Sequence, residues 1–412
     1  MKANPFHKSA VFAGRKVHVS ICGSVACYKM CDFVRSLLAI DLRVSATLTA
    51  AAQKFISPLL FKALGADPVY GQMFEGDAPF THLEPGHEAD LMLVAPASAD
   101  MLAKMAQGLC EDLAACQYVA YGGKTLVAPA MNPAMWAHPA TCANARVLAD
   151  RNVEFVGPAT GSVACGDQGA GRLAEPCDIF LACLKALSTQ DMAGLNVLAT
   201  LGPTREYWDG VRFWSNPSSG LMGSALATAA WLRGANVWAV CGPEADIHLP
   251  GPINRIDVVS ADEMYAAAMK LWPEMTIGIC CAAVADFAPV SHGNAQNAKI
   301  AKKSLPETFT LEFRRNHDIL AALGKDKGER KLLGFAAQIS PDLQAVAPFA
   351  HAKLAAKNAD LIAANRVNRD DGAFGSELNT VLGVDRSGDE KIWQALPKAD
   401  IAWNLLTWLL KL

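Results

Sequence analysis

No uninterrupted apolar run in the 412-residue chain approaches the roughly 18 residues that a membrane-spanning helix needs, so no membrane partner is expected. Charge of one sign is also missing. Lys and Arg number 37 against 40 Asp and Glu, a formal net charge of -3, which argues against a dedicated nucleic-acid binder. Charged residues make up only 19% and hydrophobic ones 52%, which excludes a disordered chain. Cysteine stops at Cys281, and the twelve present follow no framework spacing. Cys27 and Cys31 are spaced C-x-x-x-C and Cys280 and Cys281 are adjacent, neither a zinc nor a thioredoxin pattern. Buried, reduced thiols are the expectation. The opening MKANPFHKSAVF has too short an apolar part for a signal peptide, so the cytoplasm is the expected compartment.

What is present is a repeated alternation of short apolar runs with helix-length segments. KVHVSIC (16–22), RVSATLT (43–49), DLMLVAPAS (90–98), KTLVAPA (124–130) and VEFVG (153–157) read as strands of a first series. NVLATLGPT (196–204), ANVWAVCG (235–242), IDVV (256–259), TIGICCAAVAD (276–286), LLGFAAQ (332–338) and ADLIAAN (359–365) form a second. Runs that are apolar on both faces and joined by helices predict parallel sheets covered on both sides. The tail adds an antiparallel pair around NTVLGV and KIWQAL and a closing helix from about Lys398. The polar, glycine-interrupted STQDMAGL (188–195) marks the seam, predicting two doubly wound α/β domains, 1–190 and 191–412. LVAPA occurs twice, each time at the carboxyl end of a predicted strand, where open α/β sheets place their ligands.

In the first half, Gly23-Ser24 at a strand-to-helix turn offers amides and a hydroxyl to an anion, or is an ordinary N-cap. Thr49 and Ser98 add hydroxyls on the same predicted edge, which favours a phosphate-bearing cofactor. Asn132 in PAMNPAMW lies between two prolines that restrict its backbone, as a carboxylate or carbonyl ligand or as a turn residue. His82 lies in the loop THLEPGH, where a histidine is solvated or catalytic. Cys165 lies in GSVACGDQGAGRL, whose four glycines suggest a mobile flap and a poor place to bury a thiol.

In the second half, GPTREYWDGVRFWSNPSSGLMG (202–223) leads from a strand into a helix, with Ser218, Ser219 and Gly220 available to phosphate and Arg205 to an anion. Asp286, at the end of AAVAD, is expected to project from the sheet edge toward a sugar, a base or a metal, or to cap a helix. Lys299, Lys302 and Lys303 cluster in one loop, either a solvated face or a counter-charge to a triphosphate. Lys353 and Lys357 are spaced i, i+4 on one helix face and suit the same task.

GSVACYK, THLEPGHEAD, APASAD, PAMNPAMW and ACGDQGAGRL together resemble the flavin-dependent cysteine decarboxylases over residues 15–187. GPTRE, SNPSSG, AAVADF, the lysine loop, GFAA and K-x-x-x-KNAD resemble, over 191–412, the CTP-dependent ligase half of the bifunctional phosphopantothenoylcysteine decarboxylase/phosphopantothenate–cysteine ligase family of coenzyme A biosynthesis. The resemblance implies a flavodoxin-like N-terminal half and a Rossmann-like C-terminal half. It implies FMN bound between subunits near Gly23, Ser24, Val25, Thr49, Ser98 and Ala99, with His82 in the active site, Asn132 on the substrate carboxylate and Cys165 as proton donor. For the ligase it implies CTP and Mg²⁺, an acyl-cytidylate held by Asn216, and Lys299 assisting its formation, with Lys302 second. Implied CTP contacts are Cys280, Cys281, Ala282, Asp286, Lys299, Asn316, His317, Asp318, Ile319, Phe335, Lys353 and Lys357; no metal ligand is assigned.

The substrates so implied are 4'-phosphopantothenate, cysteine and CTP, and the assembly is a homo-oligomer of trimer-forming and dimer-forming halves, up to a dodecamer. Departures from the family pattern are Asp100 for Asn, Leu221 for Lys, His317 for Pro, Gln338 for Glu, and the spread KIAKK. Two other readings stand beside this one: a decarboxylase with a degenerate ligase half, and a flavin-binding regulatory protein. The latter has no need of a proton donor such as Cys165.

Overall fold

The computed structural model describes residues 4–73, 79–243, 247–290, 299–301, 303, 306–340, 342–366 and 378–412. They fall into two compact units, one of Ala10–Ser188 and one of Thr189–Leu412 together with residues 4–9.

The first unit is built on six parallel strands: β1 (Lys16–Ile21), β2 (Arg43–Leu48), β3 (Val69–Tyr70), β4 (Leu91–Ala97), β5 (Thr125–Pro129) and β6 (Glu154–Phe155). Every residue of β1, β4 and β5 is buried, as a sheet covered on both faces requires. The spatial order is 3-2-1-4-5-6, reversing between β1 and β4 and opening a crevice beyond their carboxyl ends. The doubly wound sheet is as expected, but this is the Rossmann order rather than the 2-1-3-4-5 of flavodoxin. Beyond the sheet, β7 (Ala159–Ser162) and β8 (Gln168–Arg172) pair as an antiparallel hairpin with Cys165 in its turn. The glycine-rich stretch is thus a ribbon tied down at its base. Met131 N–H donates to the Gly171 carbonyl (2.9 Å), and a Cβ on Gly171 would lie 2.4 Å from the Met131 carbonyl oxygen. Glycine at 171 lets the hairpin lie directly on the PAMNPAMW segment.

The second unit repeats the winding. Its strands are β9 (Asn196–Leu201), β12 (Asn236–Cys241), β13 (Asn254–Asp257), β14 (Ile277–Cys280), β17 (Lys331–Gln338) and β18 (Leu361–Arg366), in the order 13-12-9-14-17-18. β19 (Leu378–Asp385) and β20 (Glu390–Pro397) extend the edge antiparallel, and the helix Lys398–Lys411 closes the chain. Two ribbons stand outside this sheet, β10 (Arg205–Tyr207) with β11 (Phe213–Ser215), and β15 (Phe287–Pro289) with β16 (Phe313–Arg315). Phe6 from the opening residues is fully buried in this unit, and Ser9 Oγ donates to Asp400 Oδ1 (2.7 Å).

The run TIGICCAAVAD is not one strand. β14 stops at Cys280, and the chain then crosses the sheet edge, with Cys281 N–H donating to Thr200 O and Ala283 N–H to Gly202 O. Asp286 therefore sits just before β15 rather than at a strand end. A continuous apolar run cannot by itself mark where a buried strand ends and a buried crossing begins.

Candidate functional site

Three hydroxyls line up where the first sheet's strands end. Ser24 Oγ accepts from Ala26 N–H (3.4 Å), Thr49 Oγ1 from Ala52 N–H (3.2 Å) and Ser98 Oγ from Met101 N–H (3.2 Å). Used as acceptors by their own turns, all three retain a proton to donate to an anion. The loops after β1 and β2 approach closely: a Cβ on Gly23 would lie 2.5 Å from the Ala51 Cβ.

Beside them opens a cavity of about 590 Å³, lined by Ser24 and Val25 on one side and by Asn132 and Cys165 on the other. Thr49, Ser98, Ala99 and His82 are not among its lining residues. His82 is half-buried in the turn that precedes the helix Glu84–Glu88. Asn132 both caps a helix and faces outward. Its Oδ1 accepts from Ala134 N–H (2.8 Å), which leaves Nδ2 to donate to Asp167 Oδ2 (2.5 Å). Cys165 Sγ stands 3.3 Å from that Nδ2 and 3.5 Å from that carboxylate. Asp167, two residues beyond Cys165, escaped the sequence reading, as did Lys29 and Arg172, the cations of the same cavity. Lys29 immediately follows the GSVACY turn, which is the local signal that marks it.

The second unit has a cavity of about 490 Å³ at the corresponding edge. Cys280, Ala282, Asp286, Asn316 and His317 line it, with Asp318, Ile319, Phe335, Lys353 and Lys357. Asn316 is buried and pins the crossing segment, donating from Nδ2 to Ala285 O (2.8 Å) and from its N–H to Asp286 O (2.9 Å). Asp318 caps the helix Ile319–Lys325 through Ala321 N–H (2.8 Å) and accepts from Lys357 Nζ (2.6 Å). Burial pushes the Asp318 carboxyl up, but the Lys357 and Ala321 hydrogen bonds and the lysine charges outweigh it and hold it below the usual range. Lys353 Nζ donates to Phe335 O (2.8 Å), and burial holds this ammonium below the ordinary lysine value against the pull of Asp318. Burial also pushes the Cys280 and Cys281 thiols up to about 12, so both are walls rather than nucleophiles. The His317 ring stacks on Tyr265, centroids 4.5 Å apart at 21°. No local signal in the sequence links those two.

Cys281 belongs elsewhere. It lines a smaller cavity of about 150 Å³ with Ser218, Ser219, Gly220 and Lys398, at the start of the helix Leu221–Leu232. Burial lowers the Lys398 ammonium as well. Asn216 donates from Nδ2 to Val284 O (2.9 Å), a residue of the larger cavity's wall. Lys299 is exposed and lines neither of these two cavities, and Lys302 lies outside the described residues. Among the described residues no His, Cys, Asp and Glu grouping could hold a metal ion, and no helix is long and apolar enough to cross a membrane.

Residues 8–188 match the family described as Flavoprotein, and residues 192–412 match the DNA/pantothenate metabolism flavoprotein C-terminal domain. The chain is 40% identical over 385 residues to the coenzyme A biosynthesis bifunctional protein CoaBC of Vibrio cholerae, covering 92% of this chain and 94% of that protein. It is 37% identical over 397 residues to the protein of the same name from Bacillus subtilis, covering 95% and 96%. Among solved structures, the C-terminal domain of a coenzyme A biosynthesis bifunctional protein CoaBC is 33% identical, covering 53% of this chain and 96% of that one, with a TM-score of 0.44.

Proposed function

The chain belongs to the CoaBC family of bifunctional coenzyme A biosynthesis enzymes, with a decarboxylase unit and a ligase unit, and from that premise we propose which residues perform each reaction. The observation that carries the proposal is the Asn132–Asp167–Cys165 group at the first cavity. Asn132 Nδ2 already grips a carboxylate there, that of Asp167, and a phosphopantothenoylcysteine carboxylate would take the same donor. The Cys165 thiol stands beside that position and donates the proton that completes the product. The β7–β8 hairpin, tied to the Asn132 segment by Met131 N–H to Gly171 O, carries Cys165 to the cavity wall.

The residues fit a flavin mononucleotide. The Ser24, Thr49 and Ser98 hydroxyls and the amides of their turns would hold its phosphate, and the close loops at Gly23 would form the cradle. When bound, FMN supplies a two-electron acceptor for the thiol-bearing carbon and returns the electrons after carbon dioxide leaves. His82 would enter from a neighbouring copy. Exposed Val25 and Tyr28 (62% exposed) at the cavity rim, and Phe80 (62%) two residues before His82, support an apolar contact between copies there.

In the ligase unit the larger cavity takes CTP. Lys353 and Lys357 face its phosphates, and the 4'-phosphopantothenate carboxylate attacks the α-phosphorus, releasing pyrophosphate and forming the acyl-cytidylate. The cysteine amine then attacks that carbonyl and CMP leaves. Asn216 is assigned to hold the acyl group and Lys299 to assist its formation. Mg²⁺ would arrive on the triphosphate, with Asp286 as an exposed carboxylate on the cavity wall, since the described residues form no metal cage of their own. Exposed Phe213 and Trp214 on β11 with Phe287 and Phe313 on the neighbouring ribbon support dimerisation of this unit. Twelve free thiols fit a cytoplasmic location.

The test is a mass-spectrometric product profile with phosphopantothenate, cysteine, CTP and Mg²⁺. Phosphopantetheine is expected. Accumulated phosphopantothenoylcysteine would refute the decarboxylase assignments, and no product at all would refute the ligase ones.

A further inference from the structure

The interior of the first unit holds a chain of polar side chains that the reaction itself does not use. Gln117 is fully buried, and its Nε2 donates to the Thr81 carbonyl (2.9 Å). A carbonyl can only accept, so the amide orientation is settled and Oε1 faces Thr47, whose hydroxyl donates to it (2.7 Å). With that proton committed, Thr47 Oγ1 accepts from His18 Nε2–H (3.1 Å), and His18 Nδ1 accepts from the Ser45 hydroxyl (2.9 Å). The line Ser45–His18–Thr47–Gln117–Thr81 is therefore directional, with one tautomer and one amide orientation. His18 on β1 is neutral as this requires: burial, opposed by the Gln117 contact and reinforced by Lys16, takes its pKa down to about 3.

The chain ends on the peptide group that joins Thr81 to His82. A second tie holds the other side of the same turn, where the Tyr70 hydroxyl of β3 donates to Glu84 Oε2 (2.5 Å). The Tyr70 ring in turn lies tilted against His18, centroids 6.2 Å apart. Four polar side chains inside a sheet core are an unfavourable way to fill space that Val, Leu and Met would fill without desolvation cost. What polar links add is a unique arrangement, because a slip of any one strands a buried donor or acceptor.

We propose that Gln117, backed by Thr47 and His18, is a positioning residue for His82, fixing the Thr81–His82 peptide plane and with it the direction in which the imidazole leaves the turn. The inference rests on the reading of His82 as an active-site residue. It assigns a task to residues on β1, β2 and the helix Leu113–Ala120 that do not line the first unit's cavity.

The test uses the full-length, flavin-loaded chain and the variants Gln117→Met, Thr47→Val, Thr47→Ser, His82→Asn and Gln117→Met/His82→Asn. Carbon dioxide release from carboxyl-labelled substrate gives kcat and KM, and ligase turnover of the same preparation checks folding. Gln117→Met and Thr47→Val are expected to lower decarboxylation kcat ten- to hundredfold with KM and flavin content unchanged, and Thr47→Ser to restore it. Hydrogen exchange across residues 80–84 should quicken in the first two variants and not in the third. In the His82→Asn background, Gln117→Met should cost nothing further, since there is no imidazole left to aim. Wild-type kcat in Gln117→Met would overturn the proposal, as would equal losses in both backgrounds, which mark a merely structural role. Full activity in His82→Asn would instead sink the reading of His82 itself, and the proposal with it.

Discussion

Substituting Gly23 by Ala tests whether the first unit's loops must touch to seat a flavin. The added Cβ would lie 2.5 Å from the Ala51 Cβ and 3.1 Å from the Ala51 carbonyl carbon. Neither atom can rotate away, because both are fixed to the backbone. Restoring ordinary contact at roughly 3.5 Å requires the turns after β1 and β2 to part by about 1 Å. Overpacking of this kind costs about 1–3 kcal/mol. In the apo protein the loops can relax apart and shed that cost. Closing them around a phosphate held by Ser24 and Thr49 restores it, so the strain falls on binding. At 1.4 kcal/mol per decade, FMN affinity should drop roughly 5- to 150-fold. Titration of the apo chain by quenching of flavin fluorescence reads this directly, and an unchanged far-UV circular dichroism spectrum of the whole chain shows that the fold survived. An unaltered dissociation constant in a correctly folded Gly23→Ala variant would refute the reasoning, because the loops would then not need to close.

Cys165→Ser should lower product formation by about 10²–10⁴-fold while sparing the ligase, since a hydroxyl is a far poorer proton donor. Mass spectrometry should find a decarboxylated species lighter than phosphopantetheine by two hydrogens; unchanged yield would remove Cys165 from its assigned role. Lys357→Met should raise the KM for CTP about tenfold or more, whereas Asp318→Asn, which keeps a capping side chain and frees Lys357, should lower it or leave it unchanged. Equal weakening in both would mean that the helix cap, not the charge, is what matters. Lys353 predicts a proton signature. Burial lowers its pKa in the free enzyme, and a bound triphosphate favours the charged form, so CTP should bring a fractional proton uptake at alkaline pH, between the free and the bound pKa. Calorimetry in buffers of different ionisation enthalpy measures this, and uptake should vanish in Lys353→Met; buffer-independent heats in the wild type would contradict the assignment.

The winding of both units was legible because β1, β4, β5, β9 and β14 are buried on both faces and appear in the sequence as short apolar runs between helices. The repeated LVAPA marked strand ends because it sits where the central strands run out. Other features depend on contacts that no window of sequence contains. Cys280 and Cys281 were expected in one nucleotide site, yet they line different cavities, because consecutive residues of an extended chain point to opposite sides. Asp286 lies in a crossing segment whose composition is that of a strand. Tyr265 meets His317, and Gln117 meets Thr81, only through tertiary packing. That Lys353 and Lys357 face one cavity was legible, because helical periodicity alone puts them on one face.

The docking of the chain's opening residues on the second unit has a consequence in time. Ser9 and its partner Asp400 are separated by 391 positions, and Phe6 is buried against a body made almost entirely of the chain's last half. At about 5–20 residues per second, a ribosome completes Asp400 roughly 20–80 s after Ser9. Throughout that interval the first unit can fold, while the leading segment waits with Phe6 uncovered. The ligase unit reaches its final form only when the helix Lys398–Lys411 has left the tunnel and has met residues 4–9.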